Sequence, residues 1–315
     1  MSILITPETK VIVQGITGKE GAKATKAMLD YHTNVVCGVT PNKGGQEVEE
    51  KPVFNTVKEA VEYTDLMDSG FRQNDTPHWD STIQKKLVSA IYVPPFAAKA
   101  AILEAIDNHI PLINVIVERI PIQDTAYCLA AAKEKNIHLI GPSSLGFIAP
   151  GIGRVGVVGG PLVNEIFQPG TVGIISRSGG MTNELSWQVR QAGLGQSTAV
   201  HGGGDLLMGM AYADLLRLFE KDEQTKAVII FGEHGGSYEF EIAEIIKNKE
   251  YTKPLAIYIG GKFAKLLPEG MNIGHAGAIV ERGKGALEKE IALAAVGVKI
   301  AEHYEDLVEL IKPFA

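Results

Sequence analysis

Positive charge is in short supply in this chain: 30 Lys and Arg against 37 Asp and Glu leave a formal net charge of −7 over 315 residues. That balance excludes a surface built to track nucleic acid or anionic lipid, so any phosphorylated ligand must be met by local donors. Cysteine is scarcer still. Cys37 and Cys128 are the only two. They cannot form a disulfide framework, and neither has a CxxC or His neighbour at metal-ligand spacing. Both lie in apolar stretches and read as small core residues. No apolar run reaches ~18 residues without Gly or charge, so no membrane span is expected. The opening MSILITPETK has no basic n-region and no long apolar h-region. A secretory signal is therefore not expected, and a cytoplasmic setting of bacterial or archaeal type is.

Glycine, by contrast, is abundant, with 35 residues, and its placement organises the chain. In the first half, short β-branched runs alternate with helical patterns. The runs are KVIVQG (Lys10–Gly15), NVVCGV (Asn34–Val39), SAIYVP (Ser89–Pro94), LINVIV (Leu112–Val117) and IHLIG (Ile137–Gly141). Nearly continuous apolar strands separated by helices predict a parallel sheet covered on both faces, with ligands gathering outside the strands' carboxyl ends. The alternation breaks across Gly141–Gly170, rich in Gly and Pro, and then restarts with Thr171–Gly180, Ser197–Asp205, Ala227–Gly236 and Leu255–Gly261. The expectation is an α/β chain with a Rossmann-like domain over residues 1–148 and a flavodoxin-like parallel domain over 149–315. The polar segment Met67–Lys86 fits neither pattern and reads as a surface insertion, spanning about residues 65–87.

Two glycine-rich turns in the first half suit phosphate. Gly15, Gly18 and Gly21 follow the first strand with GxxGxxG spacing, where small residues let backbone N–H groups approach an anion at a helix N-terminus. The second strand runs into GVTPNKGG. An NAD(P) dehydrogenase would carry an acidic residue there for the ribose diol; Lys43 suits a ligand with extra phosphate. In the second half, SRSGG (Ser176–Gly180) opens a helix, making Ser178 and the N–H groups of Gly179 and Gly180 a further anion site. His275, in NIGHAGAIV, is surrounded by small residues that leave its imidazole clearance.

In their order and intervals, VIVQGITGKEG, GVTPNKGG, PVFNTVKEAVE, IYVPP, FGEHGG and GHAGAI resemble the α subunits of succinyl-CoA synthetases, within the nucleoside-diphosphate-forming acyl-CoA ligases. The resemblance covers nearly the whole chain outside Met67–Lys86. It implies that Thr17, Gly18, Lys19 and Glu20 form the first coenzyme A phosphate turn and that Lys43 meets the nucleotide end. Tyr92, Val93 and Pro94 would line the adenine or pantetheine path, with Ile116, Val117 and Glu118 beside the pantetheine arm. His275 would be phosphorylated in each cycle, and Glu233 would accept a hydrogen bond from its ring. Catalytic roles thus fall to His275, Glu233 and Glu118. Because no further glycine-rich lysine loop is present, ATP or GTP with Mg would bind an ATP-grasp β subunit in an αβ or α2β2 assembly.

Three departures from the family pattern lie where the carboxylic acid is expected. GPSSLG (Gly141–Gly146) replaces GPNCPG, bringing Ser143 and Ser144 to the substrate region. SGGMTNE (Ser178–Glu184) replaces SGTLTYE, setting Asn183 in place of tyrosine and resembling ATP-citrate lyase. ERIP replaces EGIP, adding Arg119 beside Glu118. Succinate leads as substrate, with malate–CoA or citryl–CoA synthesis as the alternative. A non-catalytic CoA-binding module would lack His275 and Glu233, and both are present.

Overall fold

In a computed structural model of the chain, residues 2–67, 87–262 and 285–315 are described. His275 and the Met67–Lys86 segment beyond Met67 lie outside the described residues. Two compact units emerge. One comprises Leu4–Gly146 with Ile152–Val157, and the other comprises Val158–Ala315 with Met1–Ile3 and Phe147–Gly151.

The N-terminal unit contains β1 (Lys10–Gln14), α1 (Lys19–Asp30), β2 (Val35–Val39), β3 (Glu47–Val48), β4 (Lys51–Phe54) and α2 (Val57–Met67). It continues with β5 (Leu87–Ile91), α3 (Pro95–Asp107), β6 (Leu112–Val115), α4 (Ile122–Glu134) and β7 (His138–Ile140). Its sheet runs β3-β4-β2-β1-β5-β6-β7. All pairs are parallel except the short β3–β4 pair. The strands are apolar along their length because helices cover both faces: every residue of β2 is buried, as are Val11, Ile12 and Val13 of β1. Ile12, Cys37, Val39, Ile91, Ile102, Ile113 and Val115 belong to one core. Successive crossovers leave β1 on both sides, to β2 and to β5, which is the point where an open α/β sheet leaves a crevice.

After β8 (Gly146–Ala149), β9 (Gly153–Gly156) belongs with this first unit. Thr33 Oγ1 donates to Arg154 O at 2.8 Å and accepts from Arg154 N at 2.9 Å, while Arg154 Nη2 donates to Ala27 O at 2.6 Å. The Gly/Pro-rich stretch thus holds two short strands that glycine spacing hid: Phe147, Ile148 and Val155 carry the β character, but each run is too brief to show a period.

The C-terminal unit holds α5 (Val163–Ile166), β10 (Pro169–Ser176), α6 (Gly179–Gln191), β11 (Gln196–His201), α7 (Tyr212–Lys221), β12 (Ala227–Gly232) and α8 (Tyr238–Lys247). It closes with β13 (Leu255–Ile259), α9 (Ala286–Ala294), β14 (Lys299–Ile300) and α10 (Leu307–Ile311). Its strands lie in the order β14-β13-β12-β10-β11-β8, and β10 pairs in parallel with both β11 and β12. This is the flavodoxin-like order, and it puts the switch point between β10 and β12. Helix α7 shows how the sheet is covered: Tyr212, Leu215, Leu216 and Phe219 recur at helical spacing and are fully buried. Phe219 lies over Gly173, where an added Cβ would fall 2.7 Å from its ring. Among the described residues, no helix is long and apolar enough to cross a membrane.

Both thiols lie inside the N-terminal unit. Burial penalises the thiolate and pushes Cys37 up to about 12 and Cys128 to about 11. Native protein at pH 8 should therefore leave both thiols unmodified by iodoacetamide, whereas unfolding should expose two per chain. Prompt native labelling would show that this core is open.

Candidate functional site

Two sets of residues collect at strand ends, one in each unit. In the N-terminal unit, Gly15 follows β1 with φ +79, and a Cβ there would collide with the carbonyl oxygen of Tyr92 beyond β5. A Cβ at Gly21 would strike the carbonyl oxygen of Gly15. The turn is therefore closed by backbone against backbone, and only glycine fits. Gly15 N donates to Val39 O at 2.7 Å and Gly18 N to Gly15 O at 3.0 Å. Thr17 Oγ1 donates to Thr40 Oγ1 at 3.2 Å. Gly18 is the N-cap of α1 and supplies no side-chain acceptor. The first-turn N–H groups, at exposed Lys19 and Glu20, are left for an outside anion.

The remaining expected residues of this unit lie at the same sheet edge in separate turns. Lys43 is exposed in the turn Thr40–Gly45, held by Lys43 N to Thr40 O at 3.1 Å. Tyr92 is buried, Val93 half-buried, and Pro94 exposed at the N-cap of α3. Burial raises the Tyr92 hydroxyl above its ordinary value, and that hydroxyl has no hydrogen-bond partner among the described residues. Ile116 is half-buried, Val117 buried and Glu118 exposed. Ser143 Oγ donates to Glu118 Oε1 at 3.4 Å, and Ser143 N to Val117 O at 2.9 Å. Ser143 thus stands beside Glu118. Ser144 does not: it is buried, with Oγ 3.3 Å from Asn114 Oδ1 and accepting from Gly146 N at 2.9 Å.

In the C-terminal unit the switch point carries the charge. Ser176 ends β10 and pairs with Phe231 of β12, so the residues after each strand face the same edge. Ser178 caps α6, its Oγ accepting from Met181 N at 3.4 Å. Gly179 and Gly180 are the first two helical residues, and their N–H groups have no acceptor within the helix. Glu233, buried just beyond β12, lies with Oε2 3.7 Å from Arg177 Nη1. The Arg177 guanidinium also donates to Gly203 O at 3.2 Å and to Asp205 O, and it stacks 5.6 Å from the Tyr238 ring. His201 Nε2 sits 2.9 Å from Arg177 O. Asn183 is spent locally, its Oδ1 accepting from Gly159 N at 2.9 Å. His234 packs against Gly261, where any Cβ would overlap its ring.

Residues 6–70 match the CoA binding domain family and residues 175–299 the CoA-ligase family. The chain is 42% identical over 313 residues to the ADP-forming succinate–CoA ligase subunit alpha 2 of Archaeoglobus fulgidus, covering 99% of each. It belongs to the succinate–CoA ligase α-subunit family. Relatives in this family carry different named activities. The ADP-forming sulfoacetate–CoA ligase subunit SqwL of an Acholeplasma species is 38% identical over 313 residues, covering 99% of this chain and 98% of that one. Among solved structures, the ATP citrate lyase of Methanothrix soehngenii with citrate and coenzyme A shares the fold. It aligns at TM-score 0.85 and 24% identity, with 98% of this chain spanning 50% of that one.

The N-terminal turn has the features of an anion site: a glycine cradle and an N-cap without a side-chain acceptor. Three residues of the C-terminal edge escaped sequence reading: Arg177, Glu239 and Lys289. Arg177 sits inside SRSGG, where the serines and glycines carry the recognisable pattern. Glu239 and Lys289 lie on α8 and α9 with no motif to mark them.

Two outcomes follow. Arg177→Met leaves the Glu233 carboxylate buried without its cation, and should cost about 3–5 kcal/mol in urea unfolding; an unchanged midpoint would show that the pair is not buried in solution. Gly15→Ala forces a side chain into the left-handed region against a carbonyl, and should cost about 1–3 kcal/mol. It should also weaken coenzyme A in calorimetric titration by at least about tenfold.

Proposed function

We propose that this chain is the α subunit of an ATP-dependent acid–CoA ligase in which His275 carries the phosphoryl group, with succinate as the first candidate acid. His275 takes the γ-phosphoryl group of ATP, held with Mg by a separate ATP-grasp β subunit. The group then passes from the imidazole to a carboxylate oxygen, giving an acyl phosphate and restoring the free ring. The thiol of coenzyme A adds at the acyl carbon and inorganic phosphate leaves, the thiol proton going to solvent or a nearby base. Splitting the condensation this way replaces one difficult displacement by three transfers.

The observation that carries this reading is the β10–β12 switch point. A helix N-terminus capped by Ser178 and a buried carboxylate, Glu233, lie at the ends of neighbouring strands. Glu233 suits a hydrogen bond from the His275 ring, which would fix the tautomer and leave the other nitrogen to attack phosphorus. The N–H groups of Gly179 and Gly180 suit the dianion that results, as an acidic protein with few spare cations requires. In the N-terminal unit, Thr17, Gly18, Lys19 and Glu20 would hold the CoA phosphates, and Lys43 its nucleotide end. Tyr92, Val93, Pro94, Ile116 and Val117 would line its course, with Glu118 near the thiol. Ser143, through its contact with Glu118, is the remaining candidate at the acid.

The 38% identical relative named for sulfoacetate gives a specific reason to test acids other than succinate. The chain should be produced with its ATP-grasp partner, and CoA-thioester formation measured with succinate, malate, citrate, itaconate and sulfoacetate. Succinate is expected to give the highest kcat/KM; a tenfold preference for another acid would reassign the substrate and leave the relay intact. His275→Asn should reduce acid-labile label transfer from γ-labelled ATP to background. Undiminished labelling of the chain would overturn the relay itself.

A further inference from the structure

Beneath Glu233 lies a second charge pair that the relay does not use. Lys289 Nζ is 2.7 Å from Glu239 Oε2, and both side chains are fully buried. Such a pair is a poor source of stability, because taking two ions out of water costs several kcal/mol that apolar residues of the same volume would not incur. Its contacts indicate another use. Lys289 Nζ donates to Glu233 O at 2.7 Å and to Gly235 O at 2.6 Å, with the Glu239 carboxylate as its ion-pair partner. The other carboxylate oxygen, Glu239 Oε1, accepts from Glu233 N at 3.1 Å. One pair therefore grips both backbone groups of a single residue, the N–H from one side and the C=O from the other.

The neighbouring sequence makes room for this arrangement. Gly232 precedes Glu233, and a Cβ there would fall 3.0 Å from Glu239 Oε1 and 2.9 Å from Ile259 Cδ1. Beyond it the chain leaves β12 for a turn in which Gly236 has φ +69. A carboxylate placed in such a turn would swing with its backbone unless something fixed the peptide on either side. Helices α8 and α9 supply that fixture, one residue each.

We propose that Glu239 and Lys289 are positioning residues for Glu233, holding its backbone so that the carboxylate keeps one place at the switch point. This rests on the reading of Glu233 as the hydrogen-bond partner of His275. The bonds do the holding, and the charges make them short and strong in a dry interior. The effect should therefore appear in the phosphorylation step and leave coenzyme A binding, in the other unit, alone.

The test uses the assembled complex with the ATP-grasp subunit and reads two quantities: the rate of label transfer from γ-labelled ATP to the chain, and KM for coenzyme A. Glu239→Met/Lys289→Met removes both grips and fills the space with hydrocarbon, which interiors accept well. It should form complex, leave KM for coenzyme A unchanged, and slow label transfer by about 10–100-fold. Glu239→Gln keeps an acceptor for Glu233 N–H, and Lys289, as ammonium or neutral amine, keeps two protons for the carbonyls; this variant should stay within about threefold of the parent. A parental rate in the Met pair overturns the proposal. So does a loss of tenfold or more in Glu239→Gln, an outcome readable even if the Met pair yields no complex. Glu233→Gln is run alongside. If it leaves label transfer unaffected, the role of Glu233 fails first and the positioning role with it. If it slows transfer while the Met pair does not, only the positioning role fails.

Discussion

A parallel strand that turns directly into a helix brings peptide N–H groups to the surface with no carbonyl opposite them, and both units are organised around that deficit. At α1 it is left open by a glycine N-cap, and at α6 it is partly met by Ser178. An acidic chain that must handle phosphate has few lysines and arginines to devote to it. Neutral amides at fixed positions bind a dianion without adding net charge and without the rotamer entropy of a long cationic side chain.

The same economy explains why the switch point of the C-terminal unit holds a balanced set of ions. Arg177, Glu233, Glu239 and Lys289 are all buried, two of each sign. Burial lowers Lys289 below the usual lysine value, and the neighbouring carboxylates work against that shift. Arg177 is anchored by carbonyls of the Gly202–Asp205 turn and by the Tyr238 ring, so its position is set independently of Glu233. The two cations thus have different partners. One faces the Glu233 carboxylate and the other holds its peptide.

Much of the fold could be read from the chain because parallel strands buried on both faces leave long β-branched runs. VIV in β1, VVCGV in β2 and VII in β12 have few other uses. The glycine turns after β1 and before α6 were legible for the same local reason: the strained backbone and the residue that relieves it are neighbours in sequence. Strands β8 and β9 were not, since four-residue strands interrupted by glycine show no period. Nor were Glu239 and Lys289. Fifty residues separate them, each sits in an ordinary amphipathic helix, and a buried lysine looks like a solvated one until the chain is folded. Asn183 and Ser144 were legible as unusual residues, but their hydrogen bonds go to Gly159, Asn114 and Gly146, which no motif could reveal.

The assignment of β8 and β9 bears on how the molecule can be dissected. Phe147–Gly151 belongs with the C-terminal unit and Ile152–Val157 with the N-terminal one, while the first residues of the chain return to the C-terminal unit, where Ser2 Oγ accepts from Thr198 Oγ1 at 3.2 Å. No single scission of the polypeptide separates two complete halves. A fragment starting at Val158 forfeits the strand beside β11 and leaves the Thr198 hydroxyl without Ser2, while one ending at Gly146 forfeits the Arg154 carbonyl and amide that satisfy Thr33. Fragment complementation, with both pieces made together, is the form of dissection this topology permits.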